Sequence, residues 1–328
     1  MDYITIAKEL LTQYSISAPE IQFIRHNENI TFKVTDGLSN KAYLLRIHKP
    51  STEGLFGLQH TFAGLKSEIA ILHELNMKGL VDAQKPVANN IGEYITICKL
   101  DNYNHPCYAT VLEWIEGDTL TLEENNIKEI AFKLGQTLAL FHQSLKEFKP
   151  SDDFVRPIYD GKRIDSAIND LKYCVEIDLF SMEHYEMIIK VLTLVKKQID
   201  ELNAREDAFG IIHADFQCGN IILNKDNPGI IDLGFCGFGY YAFDLGSAAT
   251  ILPSDLRKDF IQGYISKSSF TFDDLKYVEG QIFMDIFISY VLFMRDHDQN
   301  AWIKTNAENI CETLCKDFIE GKEVFYSL

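Results

Sequence analysis

The stretch Gly210-Ile-Ile-His213-Ala-Asp215-Phe-Gln-Cys-Gly-Asn220-Ile-Ile-Leu-Asn224, followed by Pro228-Gly-Ile-Ile-Asp232-Leu-Gly234, decides how this chain is read. An apolar run ends at His213, a loop offers Asp215, and five residues later Asn220 opens a second apolar run, Ile221–Leu223. A turn at Asn227-Pro228-Gly229 is expected to lead into a third short strand that delivers Asp232. Three polar side chains are thereby set at the ends of short buried strands. Asp232 and Asn220 offer hard oxygen donors of the kind Mg2+ takes. Asp215 stands where a carboxylate can accept a proton from an attacking hydroxyl. A lone Asp or Asn in a turn means little, since both form turns readily. The information lies in the whole pattern at this spacing.

Upstream, Ile4, Ala7, Leu10 and Leu11 repeat with a helical period. Strand-like runs follow at Ile21–Arg25, Ile30–Thr35 and Tyr43–Ile47, the last two joined by a turn that opens at Asp36-Gly37. The period returns to helical over 62–75, with Gly79 as the stop. Two more strands are expected at Glu93–Lys99 and Ala109–Trp114. Beyond them the chain reads as helices at Ile127–His142, Ser166–Cys174, His184–Leu202, Leu275–Phe293 and Ala307–Ile319, interrupted by the island quoted above. The fold class is therefore α+β, with a small antiparallel sheet lobe holding one helix and a larger, mainly helical lobe. The expected boundaries are 1–113 for the first lobe, 114–118 for a hinge and 119–328 for the second.

With 328 residues, 46% hydrophobic and 24% charged, the chain has enough apolar material for a packed core, which excludes a mostly disordered protein. The formal net charge is −17. Residues 1–113 carry 12 acids and 10 bases and residues 114–328 carry 36 and 21, so the acidity lies in the helical lobe. That balance argues against a nucleic-acid or anionic-membrane partner and is compatible with a cationic small molecule. Seven cysteines without a C-x-x-C pair suggest free thiols in a reducing, cytoplasmic setting. No signal peptide is visible, and the apolar run Ile282–Met294 is too short to span a bilayer. Oligomeric state is not legible.

His-x-Asp-x-x-x-x-Asn followed by an apolar-apolar-Asp is a protein-kinase-like signature. The form here, with Ile231-Asp232-Leu-Gly and then Phe243-Asp244-Leu, resembles the aminoglycoside phosphotransferase and choline-kinase-like family. The resemblance implies a two-lobed kinase-like fold that uses ATP and Mg2+. It implies transfer of the γ-phosphoryl group to a hydroxyl of a small molecule, with Asp215 catalytic and Asn220 and Asp232 on the metal. It also implies that Arg46 occupies the phosphate-binding lysine position, steadied by Glu68. The turn Arg25-His-Asn-Glu-Asn29 corresponds to the loop that covers the nucleotide, where Asn27 or Asn29 would contact phosphate. Glu113-Trp-Ile-Glu-Gly117 corresponds to the hinge, where the Glu113 carbonyl and the Ile115 N–H would meet adenine. Asp244 would hold the catalytic loop.

Only eleven residues separate Asp232 from Asp244, and no Ala-Pro-Glu follows. That leaves little room for an activation segment and favours a small molecule over a peptide. Two alternatives remain open: a Ser/Thr protein kinase of the bacterial stress-response type, and a non-catalytic nucleotide-binding scaffold. Asp285, a carboxylate inside an apolar run, is compatible with a structural pairing or with a cationic substrate. Cys311 and Cys315, four apart, read as buried packing rather than a metal site, and Asp296-His297-Asp298 reads as a solvated helix end.

Overall fold

The computed structural model describes residues 3–26, 29–50, 57–100 and 105–327. Strands β1 (Glu20–His26), β2 (Asn29–Thr35), β3 (Ala42–His48), β4 (Asp82–Ala83), β5 (Pro86–Val87), β6 (Ile95–Cys98) and β7 (Cys107–Glu113) occupy the first part of the chain. Six of them form one antiparallel sheet in the order β1-β2-β3-β7-β5, with β6 also on β7. The turn between β2 and β3 is tied by Asp36, whose carboxylate accepts the N–H groups of Ser17, Leu38 and Ser39. Helix α1 (Tyr3–Leu11) buries Ala7, Leu10 and Leu11 on the core of this sheet, with Phe32, Leu45 and Val111.

Helix α2 (Phe62–Lys78) begins where the Thr61 hydroxyl accepts the Gly64 N–H and ends at Gly79, which takes φ 61° and donates to the Leu75 carbonyl. Its buried face, Leu65, Ile69, Leu72 and Leu75, is the one the period predicts. Ile69, Leu72 and Leu75 join Leu112 of β7 in the large hydrophobic core that the second lobe builds, so α2 bridges the sheet and the second lobe.

The second lobe holds α3 (Ile127–Leu145), α4 (Gly161–Glu176), α5 (Met182–Leu202), α6 (Tyr241–Ile251), α7 (Ser254–Ile265), α8 (Leu275–Phe293), α9 (Ala301–Glu312) and α10 (Leu314–Ile319). Two small sheets sit among them. One joins β10 (Phe209–Ile212), β13 (Gly237–Tyr240) and β9 (Ile158–Tyr159). The other has the order β4-β12-β11-β8, from β8 (Asp118–Thr119), β11 (Ile221–Asn224) and β12 (Asn227–Ile230). The expected α+β division into a sheet lobe and a helical lobe is what the chain adopts. Among the described residues no helix is long and apolar enough to cross a membrane.

Three local readings differ. The hairpin of the catalytic island turns at Lys225-Asp226, with φ 48° and 65°, and Asn227-Pro228-Gly229 lies inside β12. A type I′ two-residue turn needs positive φ at both positions, and here that falls on residues other than glycine. Helices α6 and α7 were not expected. In α6 every residue from Ala242 to Ala249 is buried, so there is no polar stripe to produce a period. The helix expected at Ala307–Ile319 starts earlier and breaks at Thr313, which leaves α9 and α10.

Helices α3 and α7 approach through two glycines. A Cβ on Gly135 would run into the Phe260 carbonyl, and one on Gly263 into the Phe132 carbonyl. Both obstacles are backbone, so neither can yield cheaply. Gly135→Ala and Gly263→Ala should each lower unfolding free energy by about 1–3 kcal/mol in denaturant titration. Gly161→Ala, where a Cβ meets only the Lys196 chain at ordinary contact distance, should show no such loss.

Candidate active site

The loop that carries Asp215 is built around a buried carboxylate. Asp244, fully buried near the start of α6, accepts the His213 N–H (2.8 Å) and the Ala214 N–H (2.7 Å). His142 Nε2 is also 2.8 Å from Asp244 Oδ2, and its Nδ1 lies 2.8 Å from the Tyr264 hydroxyl. Ala214 takes φ 60°, a conformation that costs energy outside glycine and is held here by these bonds. The sharp reversal presents Asp215 to the cleft between the lobes. Asp244 thus has the loop-holding place that the resemblance implied.

Asp215 Oδ2 accepts from Asn220 Nδ2 at 2.7 Å, and Oδ1 accepts from Gln217 Nε2 at 2.8 Å. Asn220 Nδ2 also donates to the Asp215 carbonyl, so the amide oxygen of Asn220 is left for another partner. Asp232 follows β12 with φ 63°. Its Oδ2 lies 3.5 Å from Arg25 and its Oδ1 accepts from the Gly234 N–H. Burial first, and then the neighbouring Asp232 charge, push the Asp215 carboxyl up to about 8.

Arg46, in the centre of β3, is buried and bonds to Glu68 of α2 at 2.5 Å. Burial opposes its charge, but Glu68 and Asp232 outweigh that and raise its pKa above the ordinary arginine value. Arg46 Nε and Asn29 Oδ1 are both buried without a hydrogen-bond partner among the described residues. Each lines a cavity of about 640 Å3 that also receives Asp215, Asn220 and Asp232. Trp114 and Ile115 line the same cavity, while the Glu113 side chain is engaged by Lys41 Nζ at 2.5 Å. Asn27, the other amide expected at phosphate, lies outside the described residues.

The residue set fits a divalent cation with phosphate. One carboxylate and one amide oxygen face the cavity beside a second carboxylate and a buried arginine. Among the described residues no three His, Cys, Asp or Glu side chains are grouped to hold a metal by themselves. A cation here would draw the rest of its coordination from phosphate and water, as Mg2+ commonly does.

Several residues were not legible beforehand. Arg25, which the sequence places at the end of a strand and the start of the covering turn, and Gln217 carry no spacing signal of their own. Arg156 donates only to backbone carbonyls, which leave no mark in a sequence. Asp285 stood out only as a carboxylate in an apolar helix. It lines the cavity, where burial raises its carboxyl to about 7, a Ser247 hydrogen bond opposing and Asp244 adding to the shift. Asp296, His297 and Asp298 are exposed. Cys311 and Cys315 are buried across the α9–α10 break.

The model of the phosphotransferase enzyme family matches residues 20–277, and the chain belongs to that family. A curated relative, an uncharacterized protein of Synechocystis sp., is 25% identical over 150 residues. That match spans 44% of this chain and 40% of the relative's length. The fold is similar to that of a microcompartment-associated aminopropanol kinase, with TM-score 0.77, 20% identity, and 97% and 98% of the two chains covered. It is also similar to an amicoumacin kinase solved with AMP-PNP, Ca2+ and Ami (TM-score 0.76, 16% identity, 100% and 97% covered). A choline kinase from Cryptosporidium parvum matches at TM-score 0.63 and 16% identity, over 97% and 98% of the chains. These likenesses show the kinase-like fold.

Removing Glu68 would leave the Arg46 guanidinium buried and unpaired. Glu68→Ala should cost about 3–5 kcal/mol in unfolding free energy. The exposed pair Lys66–Asp153 provides the control, and Lys66→Ala should cost under about 1 kcal/mol.

Proposed function

We propose that this member of the phosphotransferase enzyme family transfers the γ-phosphoryl group of ATP, with Mg2+, to a hydroxyl of a small cationic molecule. The observation that carries the reading is the convergence of Asp215, Asn220, Asp232 and Arg46 on one cavity. Residues 1–113 would form the nucleotide-binding lobe, 114–118 the hinge and 119–328 the catalytic and acceptor lobe, in a cytoplasmic setting where ATP is supplied.

Asn220 and Asp232 would hold the metal, which supplies charge neutralisation for the phosphates. Arg46, fixed by Glu68, directs its unpartnered Nε at phosphate, and Asn29 adds a polar contact from the covering turn. The Glu113 carbonyl and the Ile115 N–H would take the adenine edge. Asp215, held at both oxygens by Asn220 and Gln217, orients the acceptor hydroxyl and takes its proton. The work is positioning and electrostatics, as is general for phosphoryl transfer.

The rest of the cavity lining supports the acceptor class. Asp285 stands there with Tyr159, Phe235, Phe243 and Leu292. Asp215, Asp232 and Asp285 are the only acids among its described lining residues. One carboxylate in an aromatic and aliphatic setting suits a small amino alcohol with a single cationic nitrogen. A polycationic aminoglycoside would want several acids. A peptide acceptor finds no support, because the chain between Asp232 and Asp244 is taken up by β13 and runs directly into α6.

Purified protein with Mg·ATP should turn over a small amino alcohol in preference to aminoglycosides or hydroxy amino acids, and Asp215→Ala should abolish this. An active Asp215→Ala enzyme would remove the role assigned to that residue. The Asp285 carboxyl is raised, so its charged form is disfavoured in the empty fold. Its contribution to stability is present below the ordinary aspartate range and is lost as pH rises through about 7. Asp285→Asn should therefore raise the melting temperature above pH 7. Affinity for the amine, measured by calorimetry without nucleotide, should fall about tenfold per unit below pH 7 and vanish in Asp285→Asn.

A further inference from the structure

Arg156 is buried, and among the described residues it has no carboxylate partner. Its Nε donates to the Cys236 carbonyl at 2.5 Å, and its Nη2 donates to the carbonyls of Leu233 and, at 2.9 Å, Gly234. The remaining carbonyl of that run, Phe235, accepts the Tyr159 hydroxyl at 2.8 Å. All four carbonyls that follow Asp232 are thus taken by two side chains three residues apart. The same short segment adds a backbone bond, from the Phe238 N–H to the Pro157 carbonyl, and pairs β9 with β13. Gly237 is packed so closely on Pro157 that a Cβ there would meet its carbonyl.

The other end of the segment reaches α2. The Val155 N–H donates to Ser67 Oγ at 2.8 Å, and Asp153 pairs with Lys66 at 2.5 Å. Ser67 is buried and sits beside Glu68, the partner of Arg46. Residues 153–159 therefore form a strap between the helix that steadies the phosphate-facing arginine and the loop that carries Asp232.

We infer that Arg156 is the positioning residue of this strap, setting Asp232 in its left-handed backbone conformation and tying it to the place of Glu68. Burying a guanidinium against carbonyls alone is costly unless its donors are used, and here a planar fork reaches three carbonyls on one loop. A lysine keeps the charge but cannot make that fork. The inference rests on the proposed metal role of Asp232 and deepens it, since partners behind a ligand commonly govern metal affinity.

The test compares native protein with Arg156→Lys, Arg156→Gln and Ser67→Ala. Amide hydrogen exchange is followed without metal or nucleotide, and Mg2+ is titrated into protein with a fluorescent ADP analogue. In both Arg156 variants the amides of 231–237 should exchange faster. The Mg2+ midpoint should rise about tenfold, with nucleotide affinity in chelator unchanged. Ser67→Ala should speed exchange across both 153–159 and 231–237. Native exchange and a native midpoint in Arg156→Lys would overturn the inference, and exchange in Ser67→Ala confined to 153–159 would sever the link to α2. A native protein whose nucleotide binding ignores Mg2+ would instead count against the proposed function. The exchange result would still decide whether Arg156 holds the loop.

Discussion

The site depends on one fully buried carboxylate. Asp244 is closed off from solvent, so it is tolerable only because three partners converge on it: the N–H groups of His213 and Ala214 and the imidazole of His142. The constraint acts in both directions. The donors keep Asp244 in place, and Asp244 keeps Ala214 in a conformation it would otherwise leave, which aims Asp215 into the cleft. His142 is itself fixed, stacked on Tyr241 at 4.4 Å and bonded to Tyr264. The loop is therefore anchored to α3, α6 and α7 together, and its geometry inherits the rigidity of the large core.

A second anchoring acts at Arg46. Arg46 lies on a strand of the small sheet, but its partner Glu68 lies on a helix packed into the large core. The pair is nearly sealed from solvent, with side-chain exposure of 6% and 3%, so separating it would strand two charges. The sheet is thereby fastened to the large lobe at one interior point, and the strap at 153–159 meets α2 one residue from that point.

What the sequence revealed follows from how each feature is encoded. The segment from His213 to Asp232 was legible because its residue types stand at set spacings along one stretch, between short apolar runs that read as buried strands. Arg46 and Glu68 were legible only by likeness, being one arginine and one glutamate among many. The turn at Lys225-Asp226 was hidden because its positive φ values fall on a lysine and an aspartate without glycine, next to an Asn-Pro-Gly run that reads more strongly as a turn. Helix α6 was hidden because burial on every side erases a period. Arg156 could not be seen, since backbone carbonyls have no letter. Net charge was a poor guide to the cavity. The 36 acids of residues 114–328 are mostly surface groups, and only three line the described part of the cavity.

The packing of α2 bears on how such a chain can be controlled. With the Glu68 helix set into the large core and the Asp232 loop strapped to it, the two sides of the cavity are tied to each other through residues 153–159. The short run from Asp232 to Asp244 offers no added segment on which a modifying group could act. A molecule assembled in this way closes its cavity from both sides with bonds that lie in its own interior, so the spacing across the cavity is set by the large core.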